Sequence, residues 1–454
     1  MAYKVRLAEF DSILQAEKID LSKLQELCFA GIPDDGGRRA LCWRLLLHYL
    51  PLDRSCWLQY LADKRKQYHS FVDDIVVGGG MNSSTSSSSE ALHNSRPSDI
   101  GELETSSGSI SRHNNSFDTP SIGTDINTNK TPSSLPVHKR SFSNTSSITN
   151  SSSSSNSLCS DHPLNLSPDS QWVSFFKDNE VLGQIDKDVK RLCPDMCFFQ
   201  RVTPHPRADT PRLCTRVTHT PLHSAPLHDK LSSSYSRQRG SGTRKSPSPP
   251  PEPLPPGTEA HWEVLERLLF IYAKLNPGQG YVQGMNEIIG PLYYVLATAP
   301  SDAEHAEADT FWLFTSLMAD VRDLFIRTLD ESESGIGRLM TRLMSCLKDE
   351  DAATSSQLTC QGIKEQYFAF RWLSLLFSQE FPLPDVIRMW DSVLASPDRH
   401  RCLLLLATAM IVLQREKLLS GDFASNVKLL QNYPPCDVGA IISKAVELSD
   451  RLVT

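Results

Sequence analysis

No Cys-x-x-Cys pair occurs among the eleven cysteines of this 454-residue chain, and no His or Cys partners complete a set around Cys193 and Cys197. No metal site is expected, and reduced thiols packed as small apolar groups are the expectation. The opening MAYKVRLAEFDS lacks the apolar core of a secretory leader, Ala2 stands where a myristoylation signal needs Gly, and the closing RLVT is no prenylation box. Apolar runs are short. The longest, Cys402 to Leu413, spans 12 residues against the roughly 20 that cross a bilayer, and reads as a buried helix. A cytoplasmic protein is therefore expected. Net positive charge is missing too: at −7 the chain has no general attraction for nucleic acid. Alternating runs of β-branched residues are also absent, which argues against a sheet framework.

Two stretches are poor in apolar residues altogether. Residues 78–160 run from GGGMNSSTSSSSE to SITNSSSSSNSLCS without helical or strand period. Residues 200–257 repeat Thr-Pro and Ser-Pro steps and contain SPSPPPEPLPPG. Such composition cannot bury enough surface to offset chain entropy, so both are expected to be disordered insertions. The packable chain is then 1–77, 161–199 and 258–454.

The second insertion is basic, with nine Lys or Arg against two Asp between 200 and 250. A solvated linker is one reading, and contact with an anionic membrane or a kinase is another. Thr203, Thr210, Thr220, Ser246 and Ser248 each precede proline. Phosphate on them, at roughly −1.5 to −2 charges each, would reverse the local sign. Arg244-xx-Pro247-xx-Pro250 has a spacing that suits an SH3 groove.

The packable segments read as helices. RALCWRLLLHYL (39–50) and WEVLERLLFIYAKL (262–275) carry apolar stripes of helical period, and further helices are expected over 303–328, 332–348, 365–379, 384–395, 400–419, 423–432 and 437–452. An all-α domain of many short helices follows, with the insertions in its loops.

Two segments could carry chemistry. In VLGQIDKDVKRLCPDMCFF (181–199), Val181, Leu182, Ile185, Val189 and Leu192 fall within about 60° of one direction, so they form a buried stripe. Pro194 ends that helix at Cys193. Arg191 points outward in the last turn, three residues from Asp188, whose carboxylate can fix its guanidinium. Cations in a last turn are also ordinary surface features.

The second segment, LNPGQGYVQGMNE (275–287), has Gly278, Gly280 and Gly284, with Gln283 where a dinucleotide fingerprint requires its third glycine. Apolar positions resume at Val282, so Gln283 is expected in the first turn of a helix, beside free N–H groups able to meet an anion brought from outside. Alternatively, Gln283 and Asn286 only cap that helix.

Gly31-Ile32-Pro33 followed by Arg39-xxx-Trp43, then Ile185-xx-Asp188-xx-Arg191 with Pro194 and Phe199, then Tyr281-x-Gln283-Gly284-Met285-Asn286, then Phe370-Arg371-Trp372 with Glu380-Phe381-Pro382 and Trp390-Asp391 resemble the successive motifs of TBC domains. These are GTPase-activating domains for Rab GTPases. The resemblance implies a V-shaped, all-helical fold whose groove receives a GTP-bound Rab, in regulation of vesicle trafficking and at the periphery of endomembranes.

It also implies an arginine finger at Arg191 and a glutamine finger at Gln283, with Asp188, Tyr281, Asn286, Arg39 and Trp43 in support. The domain would need no cofactor of its own, since GTP and Mg²⁺ arrive with the Rab. It would activate the partner's hydrolysis rather than run an independent reaction. A Rab-binding scaffold or adaptor without turnover is the alternative, because a fold can outlive its function. Two departures stand out. Arg191 and Gln283 are separated by 92 residues, more than is usual in the family, the excess lying in 200–257; and Leu192 replaces the usual Thr after the arginine.

Overall fold

The computed structural model describes residues 2–78, 170–219, 254–255 and 257–452. Among them are seventeen α-helices, several short 3-10 turns and no strand. Arg244, Pro247, Pro250, Thr220, Ser246 and Ser248 lie outside the described residues.

The N-terminal part consists of α1 (Ala2–Gln15), α2 (Leu21–Phe29), α3 (Arg38–Leu46) and α4 (Trp57–Val72). After the first insertion come α5 (Gln171–Val189) and α6 (Leu213–His219), then α7 (His261–Leu275), α8 (Met285–Ala297) and α9 (Ala306–Val321). The rest is α10 (Ile336–Glu350), α11 (Ala352–Cys360), α12 (Ala369–Ser374), α13 (Leu383–Ala395), α14 (Arg399–Leu413), α15 (Arg415–Ser420), α16 (Phe423–Gln431) and α17 (Val438–Leu452).

Helical periodicity locates the core. Leu182, Ile185 and Val189 on α5 and Leu192 just beyond it are each fully buried, Val181 is half-buried at the edge of the stripe, and α5 packs against α7 and α8. Leu192 presses so closely on α8 that a Cβ at Gly290 would stand 2.8 Å from its Cδ2. The apolar run ending at Leu413 is α14, buried from Cys402 to Ile411 against α10 and α17. No helix among the described residues is long and apolar enough to cross a membrane.

Buried carboxylates tie distant helices together. Asp309 on α9 is fully buried and accepts from Arg44 at 2.7 Å, Arg65 at 2.8 Å and Tyr49 at 2.9 Å. Asp391 on α13 accepts from Trp43 Nε1 and Ile32 N, each at 2.9 Å, and from Arg39 Nε at 3.1 Å. Burial of such charges is tolerated only when they are paired and hydrogen-bonded.

Several expectations need correction. Residues 200–217 are packed chain: Thr203 is 5 % exposed and its N–H donates to Glu259 O at 2.8 Å, Leu213 is buried, and Arg212 Nε meets Glu263 at 2.8 Å. The Arg216 guanidinium lies 4.3 Å from the Phe175 ring centroid. Averaged composition hid this because the packing uses few apolar residues and relies on arginines finding buried glutamates. The span 365–379 is not one helix either. It breaks after α12, where Leu376 and Phe377 take left-handed φ of 50° and 62°. Finally, α5 ends at Val189 rather than Cys193, and Arg191 sits in the turn that follows.

Candidate functional site around Asp188

Asp188 is buried at the C-terminal end of α5, on the flank of the apolar stripe. A carboxylate there must have its lone pairs satisfied, and the chain supplies partners from two segments. Arg191 Nη2 donates to Oδ1 at 2.7 Å, and Tyr281 Oη donates to Oδ2 at 2.8 Å. Asn286 Nδ2 donates to the backbone carbonyl of Asp188 at 3.3 Å.

Arg191 is thus tethered without being used up. Its Nε donates to Lys187 O at 2.9 Å, yet its side chain remains 63 % exposed. A guanidinium has five N–H donors in a planar fork, so several remain free for an incoming oxyanion. Burial, with the charge of Asp188 beside it, pushes the Tyr281 phenol far above its usual range. Tyr281 therefore stays a donor at any physiological pH.

Gln283 lies in the turn before α8 rather than inside its first turn; the N-cap is Gly284, with φ of 104°. Neither Gln283 nor Asn286 caps the helix through a side chain. Gly284 is required by its backbone and its surroundings, since an added Cβ would meet Leu375 Cδ2 at 2.6 Å. The Gln283 side chain is exposed and has no hydrogen bond to any described residue. Tyr281 anchors the chain two residues before it, and Asn286 three residues after it.

Asp188, Arg191, Tyr281 and Asn286 are therefore brought into one network, with Gln283 on the loop they hold. Arg39 and Trp43 are not in it: they bond Asp391, and Arg39 also pairs with Asp34. Burial raises the Asp391 pKa, with Arg39 the chief opposing influence. Their place is to lock α3 onto α13. Likewise Arg371 forms a double-pronged pair with Glu380, and Trp390 lies 6.0 Å from Trp43.

Sequence reasoning missed Glu287 and Gln379. Gln379 Nε2 donates to Glu287 Oε1 at 3.2 Å across 92 residues of chain. Glu287 could have been suspected from its place one helical turn after Gln283; nothing in the sequence points to Gln379. A cavity of about 320 Å³ lies elsewhere, lined by Arg38, Arg44 and Trp57, and none of the Asp188 network lines it. Most of the network is buried, and it brings two exposed side chains to the surface, Arg191 and Gln283.

This fold and constellation define a class, and the chain belongs to the Rab-GTPase-TBC domain family, whose model matches residues 257–419. That match includes Tyr281, Gln283 and Asn286 and begins after the insertion, so Asp188 and Arg191 lie before it. The chain is 44 % identical to human TBC1 domain family member 13, over 99 % of its own length and 98 % of that protein's. A TBC domain-containing protein of Schizosaccharomyces pombe is 33 % identical, with 99 % of this chain and 73 % of that protein covered. The crystal structure of the Ypt/Rab-GAP domain of Gyp1p superposes with a TM-score of 0.59 at 18 % identity, 99 % of each chain being covered, which supports the fold.

Proposed function

We propose that this chain accelerates GTP hydrolysis by a GTP-bound Rab-family GTPase, with Arg191 and Gln283 supplied in trans. The observation that carries the reading is the shared carboxylate of Asp188, which holds exposed Arg191 through one oxygen and, through Tyr281, the loop of exposed Gln283 with the other.

Small GTPases are slow because negative charge developing on the transferred phosphoryl group is poorly compensated. An arginine inserted from a partner supplies about 10³- to 10⁵-fold acceleration. Arg191 has the free donors for this, and its link to Asp188 restricts the guanidinium before the partner arrives, so less orientational freedom is lost on engagement. Gln283 would orient the attacking water, a task that Ras-type GTPases perform with a glutamine of their own. GTP and Mg²⁺ belong to the Rab. On this reading the protein acts in vesicle trafficking at the cytoplasmic face of an endomembrane, and contact between its basic residues and anionic lipid would keep it near the Rab.

The test is phosphate release from a panel of purified GTP-loaded Rabs. At least one should be accelerated, and on that Rab Arg191→Lys should lose most of the effect and Arg191→Ala nearly all, since lysine keeps the charge and lacks the fork. Turnover by Arg191→Ala equal to that of the unmodified protein would exclude the assignment.

A further inference from the structure

The glutamine loop is held by a second part of the chain, beyond the Asp188 network. After α12 the backbone leaves the helical path at Leu376 and Phe377, two consecutive buried side-chain-bearing residues with left-handed φ. Such backbone persists only where its surroundings over-determine it, and it concentrates at functional sites. What this segment achieves is contact with the loop. Leu375 fills the space beside Gly284, and Gln379 reaches Glu287.

Glu287 is well placed to transmit that contact. Its N–H donates to Gly284 O at 2.9 Å, so it belongs to the turn that carries Gln283. Its Oε1 receives both Gln379 Nε2 at 3.2 Å and Asn286 Nδ2 at 3.3 Å, and Asn286 also holds the Asp188 carbonyl. We infer that Gln379 and Glu287 form a polar latch that sets the position of the Gln283 side chain, which makes both of them positioning residues for the glutamine finger. The inference rests on the proposed trans-acting role of Gln283.

The groups around the latch are Asp188 and Arg191 at the end of α5, Tyr281 on the loop and Asn286 on α8. Burial raises the Glu287 pKa and Asp188 adds to the rise, while the two amide donors and the charge of Arg191 oppose it. Neutral amides therefore compensate the carboxylate, and Arg191 keeps its bond to Asp188. Gln379 itself is exposed, so it contributes little to the core and can be altered without unfolding the domain.

Exchange of the two groups gives the test: single-turnover phosphate release from a Rab that the unmodified protein activates, between about pH 6 and 8. Gln379→Ala should lower kcat about 3- to 10-fold with KM and Tm nearly unchanged, as expected when positioning alone is lost. Gln379→Glu sets two carboxyls against each other and should lose more, recovering as pH falls and the pair takes up a proton. The double variant Glu287→Gln with Gln379→Glu again pairs one amide with one carboxylate and should regain most of the activity. In a Gln283→Ala background none of these changes should matter further.

Unaltered kcat in Gln379→Ala and Gln379→Glu at every pH, or a double variant worse than Gln379→Glu alone, would overturn the latch while leaving the activity in place. A loss confined to KM, or one matched by a fall in Tm, would overturn it too. Failure of the unmodified protein to accelerate any Rab would overturn the function proposed above, and the latch with it.

Discussion

The Tyr281 hydroxyl donates to Asp188 Oδ2 at 2.8 Å while Arg191 occupies Oδ1 at 2.7 Å, so one buried carboxylate joins chain segments 93 residues apart. Removing either partner has a calculable consequence. Tyr281→Phe leaves one carboxylate oxygen without its donor and should cost about 1–3 kcal/mol of stability. Asp188→Asn takes away the charge and one of the two acceptor oxygens that Arg191 and Tyr281 share, loosening the guanidinium; a misplacement of about 1 Å is enough for roughly a 10²-fold loss of activity. Chemical denaturation and single-turnover phosphate release separate the two effects. Wild-type kcat in Asp188→Asn would show that the ion pair is only a surface feature.

His261, the first residue of α7, gives a pH prediction. It is 5 % exposed, stacks on Phe198 at 4.1 Å and shares a 2.7 Å hydrogen bond with Tyr293. Burial pushes its pKa down to about 4. The folded state thus prefers the neutral ring, so its contribution is complete above the unfolded pKa near 6.5 and is lost as pH falls from there toward 4. The loss is expected to amount to a few kcal/mol at most. Urea denaturation at intervals across this window should show the loss in the unmodified protein and a flatter acid limb in His261→Phe. Equal slopes in the two would contradict the assignment.

Much of this was legible in the sequence, for identifiable reasons. The burial of Leu192 and the exposure of Arg191 follow from a 3.6-residue period read over a single turn, and that is local information. Arg39 and Trp43 were legible as residues that matter and illegible in role, because their partner Asp391 is 352 and 348 residues away. The break after α12 was hidden for a related reason: FRWLSLLFS looks helical, and at the break Leu376 O accepts from buried Trp390 Nε1 at 2.9 Å, a tertiary contact that local preference does not reveal. The packed course of 200–217 was missed because its organising residues are arginines, which in sequence look like solvent-facing charge. The link from Gln379 to Glu287 has no sequence signal at all.

The corrected boundary of the second insertion changes what deletion should do. Residues 220–253 lack the apolar periodicity of a core segment, and a Gly/Ser linker in their place should leave kcat/KM within a few-fold, since loop closure varies slowly with length. A deletion extended to begin at 203 removes the Arg212–Glu263 pair and buried Leu213 and leaves Glu263 without its cation. That longer deletion should cost about 3–5 kcal/mol or more. Thermal melts of the two deletions distinguish them; equal Tm values would mean that 203–219 contributes nothing to the fold. For the same reason Thr203, buried against Glu259, should resist proline-directed phosphorylation in the folded protein.

The central claim is that Gln283 acts in trans in concert with Arg191. The most direct measurement uses a Rab whose own catalytic glutamine has been replaced by alanine, loaded with GTP and mixed with the unmodified protein, Gln283→Ala or Arg191→Ala in single-turnover phosphate release. The unmodified protein is expected to accelerate hydrolysis by this Rab nearly as well as by the intact one, and both variants are expected to leave it close to its intrinsic rate. Acceleration by Gln283→Ala equal to that of the unmodified protein would contradict the account.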